Sequence, residues 1–198
     1  MNVIEHYDKL IDENNDPVHD PAPLRAYMDR WDGQGFMDAM ELDPSKSVME
    51  IGVGTGRLAV KVAPLCGRFL GVDISPKTVE RAKENLREYG NVRLKCADFL
   101  TLDLEERFDV IYSSLTFMHV KEKQNFIDKV YSLLKPNGRF VLSVDKNQER
   151  ELVFGDRKLE IYPDTPSDVK AYFALSKVEL IDVFEVDFAT VFVGAKTE

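Results

Sequence analysis

Two kinds of hydrophobic pattern alternate along the middle of the chain. Short apolar runs indicate buried strands, and between them apolar residues recur every three or four positions, which indicates helices. The runs predict five strands, at residues 48–51, 69–73, 92–96, 108–113 and 139–144. Helical segments follow the first, second and fourth runs, at residues 58–63, 76–89 and 121–134. This alternation is typical of an α/β fold with a doubly wound, mostly parallel sheet and helices on both faces.

Turn and capping residues set the predicted ends of these helices. Ser75 is a preferred N-cap, Pro76 suits the first helical position, and Gly90 is predicted as the residue that ends the same helix. Residues 136–138, Pro-Asn-Gly, predict the turn that closes the third helix. Thr165 begins a capping-box pattern, which predicts one more helix in the tail.

The pattern changes on either side of this region. Before it, residues 2–12 predict an amphipathic helix, residues 14–23 a loop, and residues 24–42 two helices or one broken helix. After it, the sequence predicts a β-hairpin and then two strands with no helix between them, which must be antiparallel neighbours. These four strands lie at residues 151–154, 158–162, 178–185 and 188–195.

The length and these patterns predict one domain over residues 1–198. Its expected parts are an N-terminal helical cap, a ligand-binding core, a hairpin insert, and a final helix with the antiparallel strand pair. They cover residues 1–43, 44–145, 146–164 and 165–198.

The composition disfavours several classes of protein. Lys and Arg total 26 against 35 Asp and Glu, and the net charge of −9 disfavours binding to nucleic acid or to an anionic membrane. Cys66 and Cys96 are in no Cys-x-x-Cys pair and near no histidine cluster, so we expect neither a disulfide framework nor a metal site. No stretch has the pattern of a signal peptide or a membrane span. We expect a cytoplasmic protein, and the sequence leaves its oligomeric state open.

Three alternating glycines follow the first predicted strand, which carries Glu50. Gly52, Gly54 and Gly56 occupy the turn into the next helix. Glycine tolerates positive φ and has no Cβ to hold a ligand away from the backbone, and the N–H groups at a helix start suit a polar ligand. In dinucleotide sites the pattern is Gly-x-Gly-x-x-Gly, whereas here the third glycine falls one residue early and Arg57 follows it. The turn therefore favours an adenosine compound without a pyrophosphate.

Polar residues also end the next three strands. Asp73 ends the second strand, Asp98 and Phe99 end the third, and Ser113 and Ser114 end the fourth. In an open parallel sheet these positions lie side by side at one edge. The Asp73 carboxylate suits the two hydroxyls of a ribose, and Asp98 beside an aromatic ring suits the amine and the face of an adenine.

Taken in order, these motifs resemble the class I S-adenosylmethionine-dependent methyltransferases. The matching segments span about half the chain: VMEIGVGTG (48–56), GVDIS (71–75), CADF (96–99), FDVIYS (108–113) and LLKPNGRF (133–140). The resemblance implies S-adenosyl-L-methionine as the cofactor and a seven-stranded sheet whose last strand is antiparallel. The cofactor-binding residues that it implies are Glu50, Gly52, Gly54, Gly56, Asp73, Ile74, Asp98, Phe99 and Ser113.

The resemblance also limits the expected reaction. Residues 113–116, Ser-Ser-Leu-Thr, lack the Asn/Asp-Pro-Pro-aromatic pattern of the adenine and glutamine N-methylating relatives. Asp145 alone is poor support for a metal-assisted catechol site. We therefore expect metal-free methylation of a small-molecule acceptor beneath a lid formed by residues 1–31 and 145–164.

Four residues are candidates for the acceptor side. Tyr7, Trp31 and Ser114 are predicted to contact the substrate, and His119 is the candidate general base. Tyr7, Trp31 and His119 each have a structural alternative. Tyr7 would pack its helix on the sheet, Trp31 would be part of the core, and His119 would face solvent or cap a helix at its start.

Three other functions remain open at this point. A regulator that binds the cofactor without transferring a methyl group would keep the same pocket, and a methyltransferase acting on a macromolecule would keep the same core. An NAD-dependent oxidoreductase is the weaker third alternative because Arg57 interrupts the dinucleotide pattern.

Overall fold

Seven strands form one mixed sheet in the computed structural model, which describes residues 1–197. The strands of the protein are β1 (Ser47–Ile51), β2 (Arg68–Asp73), β3 (Val92–Cys96), β4 (Phe108–Ser113), β5 (Leu134–Asp145), β6 (Glu151–Phe154), β7 (Arg157–Glu160), β8 (Glu179–Glu185) and β9 (Ala189–Ala195). The helices are α1 (Val3–Asp12), α2 (Ala22–Met28), α3 (Gly33–Ala39), α4 (Ala59–Val62), α5 (Pro76–Asn85), α6 (Lys123–Leu133) and α7 (Pro166–Leu175). Short 3-10 turns lie at residues 29–31, 63–65 and 117–119.

The strand order confirms the predicted doubly wound fold. The large sheet has the order β3-β2-β1-β4-β5-β9-β8, and β1 to β5 run parallel to one another. Strand β9 runs antiparallel to both β5 and β8, as the tail pattern predicts. The winding reverses between β1 and β4, so a ligand site is expected at the carboxyl ends of these strands. Strands β6 and β7 form a separate hairpin after β5.

Aromatic and aliphatic side chains fill the space on both faces of the sheet. One cluster, with Phe126, Phe140 and Phe173, packs beneath α6 and α7. The other cluster, with Phe36 and Phe69, packs beneath α3, α4 and α5. Because both faces are covered, the central strands are apolar almost throughout, which is why they appear in the sequence as continuous runs.

The capping predictions are confirmed in part. The Ser75 side chain accepts a hydrogen bond from the Thr78 N–H at the start of α5, and Thr165 and Asp168 form a capping box at the start of α7. The prediction for Gly90 is wrong, because α5 ends at Asn85. Leu86 leaves the helix to pack over the glycine turn, so the apolar spacing continues beyond the helix itself.

The turn at residues 136–138 lies within β5 rather than before it. Phe108 pairs with Leu134 and Val110 pairs with Arg139. Two positions along β4 therefore correspond to five positions along β5. Strand β5 therefore begins before the predicted turn and bulges outward there. Asn137 takes a φ of 60° at this bulge, a conformation that asparagine tolerates better than most residues.

Among residues 1–197, no helix combines the length and the apolar character that a membrane crossing requires.

Candidate cofactor and substrate site

Two of the three glycines in the turn after β1 serve different purposes. Gly52 has a φ of 80°, and a Cβ at this position would overlap the side chain of Thr116. Gly54 has a φ of 56°, and a Cβ there would meet nothing within 4 Å. Gly52 therefore lets the segment after β4 approach, whereas Gly54 leaves backbone open for a ligand.

Asp73 links the ends of β1 and β2. One carboxylate oxygen accepts from the Gly54 N–H at 2.9 Å, and the other accepts from the Ser75 N–H at 3.0 Å. Burial raises the pKa of Asp73, and these backbone hydrogen bonds oppose that effect. A carboxylate has about four lone-pair positions, so each oxygen can accept a second hydrogen bond.

Glu50 lies beneath the glycine turn rather than at its surface. Its side chain accepts a hydrogen bond from the Tyr112 hydroxyl at 2.8 Å, and the residue is 3% exposed. Burial is the largest effect on this group and raises the pKa of Glu50 to about 8. The prediction that Glu50 faces the cofactor therefore needs correction, because Tyr112 covers its carboxyl group.

The end of β3 fulfils only part of its predicted role. Asp98 is exposed, and one of its oxygens accepts from the Leu100 N–H at 2.8 Å, which leaves the other oxygen free for a ligand. Phe99 is 7% exposed and packs against Phe126 with 5.0 Å between ring centroids. Its ring therefore belongs to the core and is not an open wall for an adenine. Ile74 is half-buried beside Asp73.

The hydroxyl groups of Ser113 and Ser114 are both engaged inside the protein. Ser113 is fully buried and donates to the Ile51 carbonyl at 2.9 Å. Ser114 donates to a carboxylate oxygen of Asp32 at 2.8 Å. These hydrogen bonds hold the end of β4 in place and engage both hydroxyls, and the cofactor contact of Ser113 and the substrate contact of Ser114 stay predictions.

Asp32 and Arg57 form an ion pair that sequence reasoning missed. The Asp32 carboxylate is 1% exposed and accepts from both terminal nitrogens of Arg57. Arg57 directly follows the glycine turn, and it also contacts Asp29 at 3.2 Å. The pair fixes the segment before α3 against the turn. The only sequence signal was Arg57 itself, a charged residue at the position where the dinucleotide pattern has its third glycine.

A second long-range pair joins α1 to the turn after β4. The Tyr7 hydroxyl lies 2.8 Å from Nε2 of His119. Burial is the largest effect on both groups: it raises the pKa of Tyr7, with a contribution from Asp73, and it lowers the pKa of His119 to about 4. Tyr7 therefore lies within range of the Asp73 charge while it contacts His119. The structure brings these two predicted residues together.

Trp31 packs in a different place. Its indole N–H donates to Asp145 at 2.9 Å, and its ring packs against Phe188 and Tyr27 with centroids 4.6 and 5.4 Å away. These contacts join the segment after α2 to the tail of the chain. The structure therefore gives Trp31 a packing role, and its contact with the substrate stays a prediction.

The N-terminal segment covers α5 and the ends of β1 and β2. Asp8 accepts from the Ser75 hydroxyl at 2.7 Å, and Lys77 forms an exposed ion pair with Asp12 at 2.6 Å. The buried Asp16 accepts from Arg81 at 3.2 Å. The exposed pair of Lys77 and Asp12 contributes little stability, about 0–1 kcal/mol.

Comparison with known proteins identifies the family. The model of the methyltransferase-domain family matches residues 42–170. The chain belongs to this methyltransferase-domain family, and its sheet has the class I fold of S-adenosylmethionine-dependent methyltransferases. N-methyltransferase NodS from Bradyrhizobium japonicum, solved in complex with S-adenosyl-L-homocysteine, has the same fold, with a TM-score of 0.73 at 15% identity over 100% of both chains.

Curated relatives of this chain are more similar in sequence but longer. Malonyl-[acyl-carrier protein] O-methyltransferase of Priestia megaterium is 31% identical over 68% of this chain and 51% of its own length. Carboxy-S-adenosyl-L-methionine synthase of Hydrogenovibrio crunogenus is 30% identical over 56% of this chain and 47% of its own length. The chain thus spans about half the length of these curated relatives.

The site fits S-adenosylmethionine, the cofactor of the family. Gly54 presents backbone with open space where a Cβ would lie, and Asp73 has lone pairs left for the two hydroxyls of a ribose. Asp98 has one oxygen free beside them. Gly54, Asp73 and Asp98 are the residues that would hold S-adenosylmethionine.

Proposed function

We propose that this protein transfers a methyl group from S-adenosylmethionine to a small-molecule acceptor held beneath α1. The observation that carries the proposal is the hydrogen bond between Tyr7 and His119. It closes α1 over the turn that follows β4, within range of the Asp73 charge. An acceptor enclosed in this way is shielded from water, which favours a small molecule over an extended macromolecule.

The division of chemistry follows from the residues present. S-adenosylmethionine, when bound, supplies a methyl group on a sulfonium, which is already a good leaving group. Asp73 and Gly54 fix the position of the cofactor, and the covering helix excludes water while it aligns the acceptor. The main contribution of the protein is therefore alignment.

We further propose that His119 orients the acceptor through Tyr7 rather than acting as a strong base. A pKa of about 4 leaves the His119 imidazole neutral at pH 7, so it holds an incoming proton weakly. An acceptor that arrives with a free lone pair, such as a carboxylate, a thiolate or a neutral amine, needs no deprotonation before transfer. Such acceptors suit this pair better than a neutral alcohol.

A release assay for S-adenosylhomocysteine tests the proposal. The protein is incubated with S-adenosylmethionine and a panel of small amines, phenols, thiols and carboxylates, and product is measured by mass spectrometry. Turnover of at least one free small molecule supports the proposal. If the cofactor binds tightly but no small molecule is methylated, the regulator or macromolecule alternatives replace it.

A further inference from the structure

Three buried nitrogen atoms form a group that the cofactor site does not use. They are Nδ1 of His6 on α1, Nδ1 of His119 in the 3-10 turn and Nη1 of Arg157 on β7. Within residues 1–197 none of the three has a hydrogen-bond partner. We call these three residues the donor seam. Buried polar atoms are nearly always satisfied in native proteins, so three on adjoining segments call for an explanation.

The contacts between their side chains place these residues next to one another. The His6 ring packs edge-on against Tyr7 at 5.1 Å, and Tyr7 packs in the same way against His119 at 5.5 Å. On the other side, His6 packs against Phe154 at 4.9 Å, and Phe154 pairs directly with Arg157 in the hairpin. The donor seam therefore follows the junction between α1, the hairpin and the turn after β4.

The Tyr7 hydrogen bond fixes the proton on His119. If the Tyr7 hydroxyl donates to Nε2, only Nδ1 of the ring is left without a partner. If instead Nε2 donated to Tyr7, the hydroxyl proton would also lack an acceptor, which would add a second unsatisfied group. The first arrangement is preferred, and it makes Nδ1 of His119 a buried N–H donor.

Arg157 brings a positive charge that its neighbours balance only in part. Its Nη2 donates to Glu13 at 2.7 Å, while Nη1 is buried without an acceptor. Glu13 is 44% exposed, so water screens part of its charge. Burial is the largest effect that lowers the pKa of His6, and the nearby Arg157 charge lowers it further. An anion beside them would reverse that effect.

We propose that the donor seam binds a carboxylate on the acceptor substrate, with Arg157 as its main ligand and the ring nitrogens of His6 and His119 as additional donors. This proposal rests on the function proposed above and adds the substrate class. One guanidinium and two neutral imidazoles match the single charge and planar shape of a carboxylate. The half-exposed Phe154 ring beside His6 provides an apolar wall, so the rest of the acceptor is apolar.

Matched pairs of acids and amides provide the test. Calorimetry with saturating S-adenosylhomocysteine measures the binding of benzoate against benzamide and of hexanoate against hexanamide. We expect the wild-type protein to bind at least one acid about tenfold or more tightly than its amide, because a charge-assisted hydrogen bond is lost in the amide.

Four variants assign the preference to Arg157. Arg157→Gln should abolish it, and Arg157→Lys should restore part of it by retaining the charge. Lys158→Gln is the matched control: Lys158 is the next residue, pairs with Glu151 at 2.8 Å and is mostly exposed, so this variant should keep the full preference. Glu13→Gln should strengthen binding of the acid, because it removes the carboxylate that competes for Arg157. A purely structural ion pair would not give opposite effects in Arg157→Gln and Glu13→Gln.

The possible results separate this proposal from the one on which it depends. If S-adenosylhomocysteine binds but no acid is preferred, or if Arg157→Gln keeps the preference, the donor seam is not a carboxylate site and the proposed function still stands. If S-adenosylhomocysteine itself does not bind, both proposals fail.

Discussion

The two halves of the carboxyl edge of the sheet are held together by different kinds of contact. In the cofactor half, at the ends of β1 to β3, the Asp73 carboxylate accepts from the backbone of Gly54 and Ser75. In the acceptor half, around the turn after β4, side chains from distant segments meet, as Tyr7 does with His119. The cofactor half is built from short segments that each follow one strand. The acceptor half depends on the segments before β1 and on the segments after β5.

This difference predicts where substitutions act. Changes in the cofactor half should reduce cofactor affinity or stability and be independent of the lid. Changes in the acceptor half should alter turnover and pH dependence and leave cofactor affinity largely intact. The following variants test this comparison, from the largest expected effect to the smallest.

Alanine substitutions of Gly52 and Gly54 should lower the free energy of unfolding by different amounts. Gly52→Ala combines a positive φ with an overlap on Thr116, so we expect a loss of several kcal/mol, from about 1–3 kcal/mol of strain and about 1–3 kcal/mol of overpacking. Gly54→Ala meets open space and should cost only about 1–2 kcal/mol from its left-handed conformation. Urea denaturation measures both variants.

The same pair also separates stability from ligand binding. Gly54→Ala should weaken binding of S-adenosylhomocysteine, because its methyl group occupies the space open to a ligand. Adding Thr116→Ala to Gly52→Ala should recover part of the lost stability. Equal stability losses in the two glycine variants would contradict the different roles given to them here.

The stability of the protein should depend on pH through His119. Its pKa is about 6.5 when unfolded and about 4 when folded, so between pH 6.5 and 4 the unfolded state binds more protons. The His119 contribution is therefore fully present above pH 6.5 and falls by about 3 kcal/mol as the pH drops to 4. Glu50 has an opposite dependence, because burial raises its folded pKa to about 8.

A difference curve isolates the histidine. The free energy of unfolding is measured from pH 4 to pH 8 for the wild-type protein and for His119→Gln, in which the Glu50 contribution is common to both. We expect the wild-type protein to lose more stability toward pH 4 than the variant does. Parallel curves would show that His119 titrates normally in the folded protein.

Asp73→Asn should weaken cofactor binding by about 2 kcal/mol, or about thirtyfold. The amide has the same size but lacks the charge that strengthens hydrogen bonds from the two ribose hydroxyls. Calorimetry with S-adenosylhomocysteine measures the affinity, and circular dichroism controls for folding. A folded variant with unchanged affinity would show that Asp73 only joins the two turns.

Two substitutions of His119 distinguish positioning from base catalysis once an acceptor is known. His119→Gln can accept the Tyr7 hydrogen bond but cannot take up a proton, whereas His119→Ala can do neither. If His119 positions Tyr7, Gln should retain most of the turnover and Ala should lose about tenfold. Equal losses of about 10² or more in both variants would instead identify His119 as a general base.

Trp31→Phe should have the smallest effect. The variant keeps an aromatic ring against Phe188 and loses the hydrogen bond to Asp145, so we expect a loss of about 1 kcal/mol in the free energy of unfolding. Binding of S-adenosylhomocysteine should not change. A large loss of turnover with little loss of stability would support the predicted contact between Trp31 and the substrate.

The contrast between the two halves also explains how far the sequence could be interpreted. The strands, the turn with Gly54 and the position of Asp73 at the end of β2 follow from local patterns, because each strand, turn and cap is set by neighbouring residues. The roles of Phe99 and Ser114 could not be predicted, because motif position does not show whether a side chain points to the core or to the ligand. Only packing decides that.

Pairs that are distant in sequence could not be predicted at all. Asp32 binds Arg57 and Ser114 across 25 and 82 residues, and no local pattern shows that the three meet. The partnership of Tyr7 and His119 spans 112 residues. Each residue was a candidate by itself, but their hydrogen bond depends on where α1 lies on the folded sheet.

The central claim is that the carboxyl edge binds an S-adenosyl compound, and ligand-dependent stability tests it most directly. Urea unfolding is measured with S-adenosylhomocysteine and, in parallel, with NADH, each over a range of concentrations. At about 100 times its dissociation constant, S-adenosylhomocysteine should raise the free energy of unfolding by about 2.7 kcal/mol, and NADH should have no effect. Stabilisation by NADH with none from S-adenosylhomocysteine would contradict the account.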